Sequence, residues 1–387
     1  MRLFLFKFVL FLVPALVGAS LVGYAGYTHL AKDFEDNITV INSDELAALI
    51  PENSVKVVVP EEETPIEEFK EEVISKESIT IALVGSDTRV GQGTSFGKAG
   101  GARSDTTILI KMNAERTHAV FMSIPRDLRV EIPACEKSNG SKLVPQIAKF
   151  NAAYAYAGPN CMLETLKHNF DIEVNHIAIV NFLGFQKIVD IIGGVEICLP
   201  KPVYDKDANL DLEAGRQTLY GEDALAFVRA RKGIGDGSDI SRTERQRVFL
   251  SSVLQKAENT NIIFNPLKLY NILMAISESL TTNQELANVD KMVELAIDAG
   301  RIGSENFQSV PVSWSSNGDG TISFDEEGMS IIQQFNKGEF PIVKDSDETE
   351  SKLPSDGVNS SEVAKPKVAQ YERVGFSANL DICNTLG

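Results

Sequence analysis

Short apolar runs rich in β-branched residues alternate with polar loops through the middle of the chain. Three of these runs predict buried strands: Ile79–Val84, Thr106–Ile110 and His118–Ile124. Helical and strand patterns then alternate in the order Leu163–Phe170, Phe182–Ile192 and Val195–Leu199. This alternation is typical of α/β proteins, so we predict a layered αβα fold around a central mixed sheet.

The later part of the chain adds further elements. Apolar residues recur at helical spacing in Val248–Glu258, Leu267–Leu280 and Val289–Asp298. Late strands are predicted at Val310–Val312 and Thr321–Phe324. The segment Ser315–Glu326 resembles an EF-hand loop, but the residues before it have a strand pattern, so a hairpin turn is the better interpretation.

The first 32 residues predict a membrane anchor. Arg2 and Lys7 precede an uncharged apolar run from Phe8 to Tyr27, which is long enough to cross a bilayer as one helix. Basic residues before such a run predict a cytoplasmic N-terminus and an extracytoplasmic body in a single-pass protein of the cell membrane. The alternative is a cleaved signal peptide, with small residues near Ala19 as the cleavage site.

Charge divides the rest of the chain. The 387 residues include 37 Lys and Arg against 54 Asp and Glu, a net charge of −17, which argues against nucleic-acid binding. Residues 79–260 hold 22 basic and 21 acidic side chains, so an anionic ligand would bind there. We predict an acidic spacer at 33–78, a body at 79–341, and a disordered linker with a C-terminal tail at 342–387.

Four cysteines fit an exported chain, in which an even number suggests disulfides. Three pairings are possible, and the one that we prefer joins Cys135 to Cys161 and Cys198 to Cys383. The second bond would tie the C-terminal tail to the body. Four buried free thiols are the alternative.

Three loops that combine acids with arginine lie at the ends of predicted strands. Gly85–Arg89 follows the first strand, Gly100–Asp105 precedes the second, and Ser123–Asp127 lies where the third ends. Ligands of open α/β sheets bind at such strand ends. Asp87 and Asp105 could together hold Mg²⁺, which takes one or two carboxylates and completes its shell with phosphate oxygens. A network of surface ion pairs is the alternative for each loop.

A fourth cluster lies at the start of a predicted helix. Ser241 and Glu244 form an S-x-x-E capping box, and Arg242 and Gln246 lie four residues apart on a face that continues as apolar. A helix N-terminus with arginine on its inward face suits a phosphate group. Arg229 and Arg231 could project together from the preceding segment, and bidentate arginine contacts fit a diphosphate. The alternative is a solvated, arginine-rich helix.

Ordinary hydrolytic chemistry has little support in the sequence. None of the four histidines lies in an acid–arginine cluster, and neither G-x-S-x-G nor H-E-x-x-H occurs. The residues therefore favour phosphoryl chemistry that depends on positioning and charge neutralisation.

In this order, the clusters resemble the LytR–CpsA–Psr family of cell-wall ligases. The resemblance covers about residues 79–254 and rests on the following motifs: GSDTR, RSDT, SIPRD, KFNAAYAYAGP, GGV, FVRAR and DISRTERQ. The cysteines after Pro133 and Pro159, with the one in GGVEICLP, are similar to the actinobacterial branch.

The resemblance implies a transferase that takes a glycopolymer from a polyprenyl-pyrophosphate carrier in the cytoplasmic membrane. It joins the polymer by a phosphodiester to a peptidoglycan hydroxyl, with Mg²⁺ or Mn²⁺ on Asp87 and Asp105, and the lipid lies in an apolar cavity between sheet and helices. The residues that it assigns to the phosphates are Arg89, Arg103, Arg126, Arg229, Arg231, Arg242 and Gln246. Asp239 and Asp127 are candidate bases. A pyrophosphate phosphatase and a non-catalytic lipid- or wall-polymer-binding protein are the alternatives.

Overall fold

A computed structural model describes most of the chain. The residues that it describes are 28–29, 31–41, 77–86, 104–137, 139–199, 201–230, 239–262, 265–338 and 376–377. The predicted membrane run 8–27, most of the expected spacer, the linker 342–370 and Cys383 lie outside these ranges. Within them, no helix has the length and apolar character needed to cross a membrane.

Strands and helices follow one another along the chain. The strands are β1 (Thr39–Val40), β2 (Ile79–Ser86), β3 (Ser104–Met112), β4 (Ala119–Ile124), β5 (Arg129–Ile132), β6 (Gln146–Lys149), β7 (His176–Asn181), β8 (Val195–Leu199), β9 (Val203–Asp205), β10 (Leu210–Leu212), β11 (Gly215–Leu219), β12 (Leu280–Thr282), β13 (Phe307–Ser309), β14 (Trp314–Ser316), β15 (Ile322–Phe324) and β16 (Phe376–Ser377). The labelled helices are α1 (Phe150–Phe170), α2 (Phe182–Ile191), α3 (Gly221–Arg229), α4 (Asp239–Asn259), α5 (Pro266–Ser277), α6 (Val289–Ile302) and α7 (Glu326–Lys337), with a 3₁₀ turn at Ser304–Asn306. Residues 31–37 are also helical.

One large sheet organises the body. Its strand order is β1-β12-β7-β2-β3-β4-β13-β16. β2 pairs in parallel with β7 and antiparallel with β3, so the sheet is mixed, as predicted. The strands predicted at Ile79–Val84, Thr106–Ile110 and His118–Ile124 correspond to β2, β3 and β4.

Helices cover both faces of this sheet because successive side chains of a strand point in opposite directions. Ala82 and Val84 of β2 face a core that includes α1 and α7. Ile81 and Leu83 pack on the other side, in a core that includes α4, α5 and α6. The layered αβα fold is therefore confirmed.

A second, smaller unit extends from the end of β7. Its apolar core includes side chains of α2, α3 and the strands β8–β10, together with Phe249 of α4. Gly221, the first residue of α3, packs so tightly on α2 that a β-carbon there would lie 2.7 Å from Asp190 Oδ2. Asp190 Oδ1 accepts a hydrogen bond of 2.7 Å from the Gly221 backbone N–H. This contact fixes the start of α3 and, through the helix, Arg229 at its end.

Several predicted boundaries differ from the structure. α4 begins at Asp239, so Ser241 lies inside the helix and is not its N-cap. The helix predicted at Leu267–Leu280 ends at Ser277, and Leu280 belongs to β12. The strand expected at Val310–Val312 is absent from the described part of the chain; β13 ends at Ser309, two residues before Pro311. Ser315–Glu326 does form the predicted hairpin, with Trp314 opposite Phe324.

The beginning of the expected spacer is part of the body. Phe34, Ile38 and Ile41 are buried, and β1 pairs in parallel with β12. These apolar residues recur every three or four positions among acidic ones, and the overall negative charge conceals that pattern. Residues 33–41 therefore do not act as a spacer, and the expected spacer residues 42–76 lie outside the described ranges.

The disulfide expected between Cys135 and Cys161 is present, with 5.3 Å between the two α-carbons. It joins the loop after β5 to α1, just beyond a kink at Ala157 and Gly158. Cys198 is also disulfide-bonded. Its expected partner, Cys383, falls in the part of the tail that the structure does not describe.

Candidate active site

Four strand ends meet at one edge of the large sheet. Ser86 at the end of β2 lies opposite Asn181 at the end of β7 and opposite Ser104 at the start of β3. Ile124 at the end of β4 pairs with Thr107 of β3. The three loops that combine acids with arginine therefore start or end at the same edge.

The described residues contain only part of these loops. Asp87, Arg89, Arg103 and Arg231 lie outside them. Asp105 lies in β3, next to a register shift at Gly85 and Ser86. Its backbone lies in the strand next to β2, and the end of β2 leads into Asp87.

Ser104 brings a buried hydroxyl to this edge. Its side chain is almost fully buried, and its Oγ has no hydrogen-bond partner within the described structure. A buried hydroxyl without a partner is uncommon in folded proteins, since most such groups are satisfied. The edge therefore has hydrogen-bonding capacity that the described part of the fold does not use.

Arg126 and Asp127 lie just beyond the end of β4. The Asp127 carboxylate accepts a hydrogen bond of 2.6 Å from Lys149 Nζ, and its other oxygen lies 3.4 Å from Arg126 Nε. Burial would raise the pKa of Asp127, but the Lys149 hydrogen bond and the Arg126 charge together hold that pKa below its usual value. A carboxylate engaged on both oxygens by cations is a poor base, so this geometry favours a role for Asp127 in orienting Arg126.

Arg229 approaches the same edge from the second unit. Its guanidinium carbon lies 4.5 Å from the ring centroid of Phe182, the first residue after β7. Asn181, immediately before it, caps α2 by accepting a hydrogen bond of 2.9 Å from the Gly184 N–H. The Arg229 side chain is exposed whereas the Phe182 ring is buried. A cation–π contact thus holds an exposed cation at the end of β7.

The start of α4 is tied to the end of α3. Gln246 Nε2 donates a hydrogen bond of 3.1 Å to the Val228 carbonyl. Arg245, whose exposed fraction is 1%, donates to the Ala230 carbonyl. These contacts hold α4 against the segment that leads into Arg231. Asp239 and Arg242 belong to the first turns of α4, and their side chains lie outside what is described.

The sequence analysis did not identify Arg245. Its spacing from Phe249 and Ser252, both buried, corresponds to i, i+4 and i+7 on one helix face. This helical periodicity is the signal in the sequence that could have identified Arg245 as a buried residue. The face that we predicted from Arg242 and Gln246 is thus centred one position earlier, on Arg245.

The acidic residues at this edge of the sheet are candidate ligands for a divalent cation. Among the described residues, no three His, Cys, Asp or Glu side chains are close enough to form a metal centre by themselves. Mg²⁺ does not require such a cage, since one or two carboxylates and phosphate oxygens complete its shell. The placement of Asp105 beside the chain entering Asp87 fits that requirement, with hard oxygen donors only.

An apolar surface adjoins the edge. Leu83 of β2 and Val180 of β7 face α4 and α5 and are only partly buried. Leu250, Leu254 and Met274 of those helices are partly buried on the same side. Partly accessible apolar side chains thus lie between the sheet and the helices, next to the strand ends.

Comparisons with known proteins bear on what this arrangement does. Residues 51–338 match the model of the LytR_cpsA_psr family. The chain is 35% identical over 198 residues to the probable cell wall biosynthesis protein LcpB of Corynebacterium glutamicum, a match that covers 49% of this chain and 44% of that protein. It is 29% identical over 268 residues to the polyisoprenyl-teichoic acid–peptidoglycan teichoic acid transferase TagU of Enterococcus faecalis, covering 67% of this chain and 79% of TagU.

A solved structure has the same fold. The LytR-Csp2A-Psr enzyme from Actinomyces oris superposes with a TM-score of 0.53 at 19% identity, covering 67% of this chain and 89% of that one. At that identity the likeness concerns the fold alone.

Proposed function

This chain belongs to the LytR–CpsA–Psr family, and we propose that it transfers a glycopolymer from a polyprenyl-pyrophosphate carrier to a hydroxyl of peptidoglycan. The observation that carries the proposal is that Arg126, beyond the end of β4, and Arg229, at the end of β7, lie at the same edge of the sheet beside a partly accessible apolar surface. That combination suits a ligand with an anionic head and an apolar tail. The names of the relatives supply the polymer and the acceptor, since TagU is a teichoic acid transferase that acts on peptidoglycan.

Arginine is suited to the pyrophosphate because its planar guanidinium makes paired, charge-assisted hydrogen bonds. Arg126 is oriented by Asp127, and Arg229 by the ring of Phe182. Arg103, Arg231 and Arg242 would add to the same charge, from positions that the sequence places next to the edge. Phosphoryl transfer depends chiefly on such positioning and charge stabilisation.

Asp87 and Asp105 would hold a divalent cation, Mg²⁺ or Mn²⁺, against the pyrophosphate. The bound ion supplies charge neutralisation of the phosphate oxygens. The support is the backbone position of Asp105 beside the end of β2 and the absence of softer ligands from the acid–arginine motifs of the sequence.

The proposed reaction exchanges one P–O bond for another. The acceptor hydroxyl oxygen attacks the phosphorus that carries the glycopolymer, and a new P–O bond forms. The bridging P–O bond of the pyrophosphate breaks, and polyprenyl phosphate leaves with its electron pair. The hydroxyl proton passes to a carboxylate, for which Asp239 is our candidate, and then to water. We assign Asp127 to positioning because its pKa is lowered by two cationic neighbours, after burial has acted in the opposite direction.

We further propose that the protein is a single-pass membrane protein with its body outside. The apolar run from Phe8 to Tyr27 supports this location, as does the Cys135–Cys161 disulfide, a bond typical of oxidising compartments. Similarity to LcpB supports the actinobacterial branch of the family.

The test uses the full chain in detergent with a polyprenyl-pyrophosphate-linked saccharide, peptidoglycan fragments and Mg²⁺. We expect mass spectrometry to detect the saccharide joined to the fragments, and we expect EDTA to stop this reaction. Arg126→Ala should slow it about a hundredfold or more, as does the loss of one preorganised contact to developing charge. Arg216→Ala, which removes an exposed arginine paired with Glu196 in the second unit, is the control and should leave the rate unchanged.

Free phosphate without joined product would support the phosphatase alternative. Binding of the carrier without turnover would support a non-catalytic binding protein. Either result contradicts the proposed transferase.

A further inference from the structure

A two-stranded ribbon, β5–β6, projects from the end of β4 on the α1 side of the large sheet. Val130 and Ile132 point into the core. The alternating residues of β5, Arg129 and Glu131, point outward, together with their β6 partners Lys149 and Ile147. We call this outward surface the ribbon face, and its residues are Arg129, Glu131, Ile147 and Lys149.

The ribbon face is continuous with the candidate active site. Lys149 at its near end binds Asp127, which in turn contacts Arg126. The β14–β15 hairpin joins it from the side, where the Ile322 N–H donates to the Asp127 carbonyl over 3.2 Å. A surface thus runs without interruption from the phosphate-binding arginine onto the ribbon.

Two apolar side chains beside this path are unusually exposed. Val144, in the loop before β6, is 78% exposed and Ile147 is 64% exposed, the largest values among the large hydrophobic residues described. Arg129 donates a hydrogen bond of 3.2 Å to Asp319 at the tip of the hairpin. Exposed apolar side chains next to paired charged groups match a sugar chain, whose rings have apolar faces and a rim of hydroxyls.

The stereochemistry of phosphoryl transfer independently favours an acceptor site on the α1 side of the sheet. In phosphoryl transfer the attacking and leaving oxygens lie roughly in line across phosphorus. The apolar surface for the carrier lies on the α4–α5 side of the sheet, at Leu83 and Val180. An acceptor in line with a carrier that leaves toward this surface approaches from the opposite side, and the ribbon stands on that side, packed against α1.

We propose that the ribbon face binds the glycan strand of the peptidoglycan acceptor and directs its hydroxyl toward Arg126. This inference rests on the proposed transferase function and adds to it the place where the acceptor binds. Arg129 contacts sugar hydroxyls or the carboxylates of the attached peptides, and Ile147 packs against a sugar ring.

Two exposed positions on the ribbon have matched counterparts elsewhere. Arg129→Ser and Ile147→Ser alter the ribbon face without touching Arg126, Asp127 or Lys149. Arg216→Ser and Tyr204→Ser are the controls. Arg216 is also an exposed arginine in an ion pair, with Glu196, and Tyr204 is 63% exposed on β9.

The full chain in detergent would be assayed with varied acceptor at saturating donor, and then with varied donor. We expect each ribbon variant to raise the KM for the peptidoglycan fragment about fivefold or more, and both together more strongly, with the donor KM unchanged. The controls should match the unaltered protein. Co-sedimentation with insoluble peptidoglycan, without donor, should fall in the ribbon variants only.

The outcomes separate this inference from the function beneath it. Product formation with an unchanged acceptor KM in both ribbon variants would overturn the ribbon proposal and leave the transferase intact. If the unaltered protein forms no product while the ribbon variants still lose co-sedimentation with peptidoglycan, the transferase function is overturned and the ribbon face remains a peptidoglycan-binding surface. A change in oligomeric state by light scattering in place of a change in acceptor KM would show that a second copy occupies the face, and would also overturn the proposal.

Discussion

Arg116 Nε lies 3.1 Å from Asp298 Oδ2, and both side chains are almost completely buried. Arg116 is in the turn between β3 and β4, and Asp298 is in α6. The same guanidinium donates a hydrogen bond of 2.9 Å to the carbonyl of Glu77, just before β2. One buried ion pair thus joins a hairpin turn, a helix and the entry to the central strand.

Removing one partner of this pair should destabilise the protein severely. Asp298→Ala leaves the Arg116 charge buried and uncompensated, and we expect a loss of about 3–5 kcal/mol in the free energy of unfolding. Chemical denaturation of the full chain in detergent would measure it. Glu294→Ala, on the same helix in an exposed pair with Lys291, should cost less than about 1 kcal/mol. Equal losses in the two variants would contradict this account.

Acid should destabilise the protein through His176. Burial, and then the charge of Lys291, lower its pKa from 6.5 to about 4. The buried imidazole is therefore neutral in the fold, and its contribution to stability is present above pH 6.5 and lost as pH falls toward 4. The full effect is about 3 kcal/mol.

The measurement is the free energy of unfolding at pH 7 and at pH 4.5. His176→Gln removes the titrating group, so its stability should fall less than that of the unaltered protein over this interval. Parallel pH dependences would show that other groups are responsible.

The Phe182 ring beneath Arg229 should affect the use of the donor substrate rather than of the acceptor. Phe182→Leu removes the cation–π contact, and we expect kcat/KM for the polyprenyl-pyrophosphate donor to fall about threefold to thirtyfold. Phe182→Tyr keeps the ring and should keep most of the activity. Phe185→Leu is the control for lost packing, because Phe185 lies on the next turn of the same helix and contacts Phe249. If Phe185→Leu lowers kcat/KM as much, the effect is one of packing alone.

Loss of the Cys135–Cys161 bond should lower stability by about 3 kcal/mol, since it closes a loop of 26 residues. The double variant C135A/C161A would be compared with the unaltered protein by thermal unfolding, each with and without reductant. Reductant should lower Tm more in the unaltered protein than in the double variant. Cys198 remains bonded in both proteins before reduction, so its contribution cancels in the comparison.

The strands of the sheet centre could be predicted because their sequences are apolar on both faces. β2 and β4 are of this kind, and helices cover both of their sides. The predicted strand at Val310–Val312 was wrong for a local reason. Regular pairing with β4 ends at Ser309, and the Val310 N–H donates one more hydrogen bond of 3.0 Å to the Phe121 carbonyl immediately before Pro311, a residue that disfavours a regular strand.

Other features depend on contacts that a single segment does not reveal. Phe34 lies in an acidic stretch, and its burial follows from the core that it shares with side chains of α5 and α6. Arg245 is charged and was not considered a core residue, although its spacing from Phe249 places it there. The convergence of the strand ends was predictable from topology, whereas the partners of Arg126 and Arg229 required three-dimensional contacts between distant segments.

The two outermost strands of the large sheet come from opposite ends of the described chain. β1 is formed by residues 39–40 and β16 by residues 376–377, which pair with β12 and β13. β16 lies far beyond β13 in the chain, so β13 is an open sheet edge until the distant residues of β16 pair with it. An unpaired edge of this kind can recruit another chain. β16 therefore protects this edge of the sheet against pairing with another chain, a duty unrelated to the chemistry of the site.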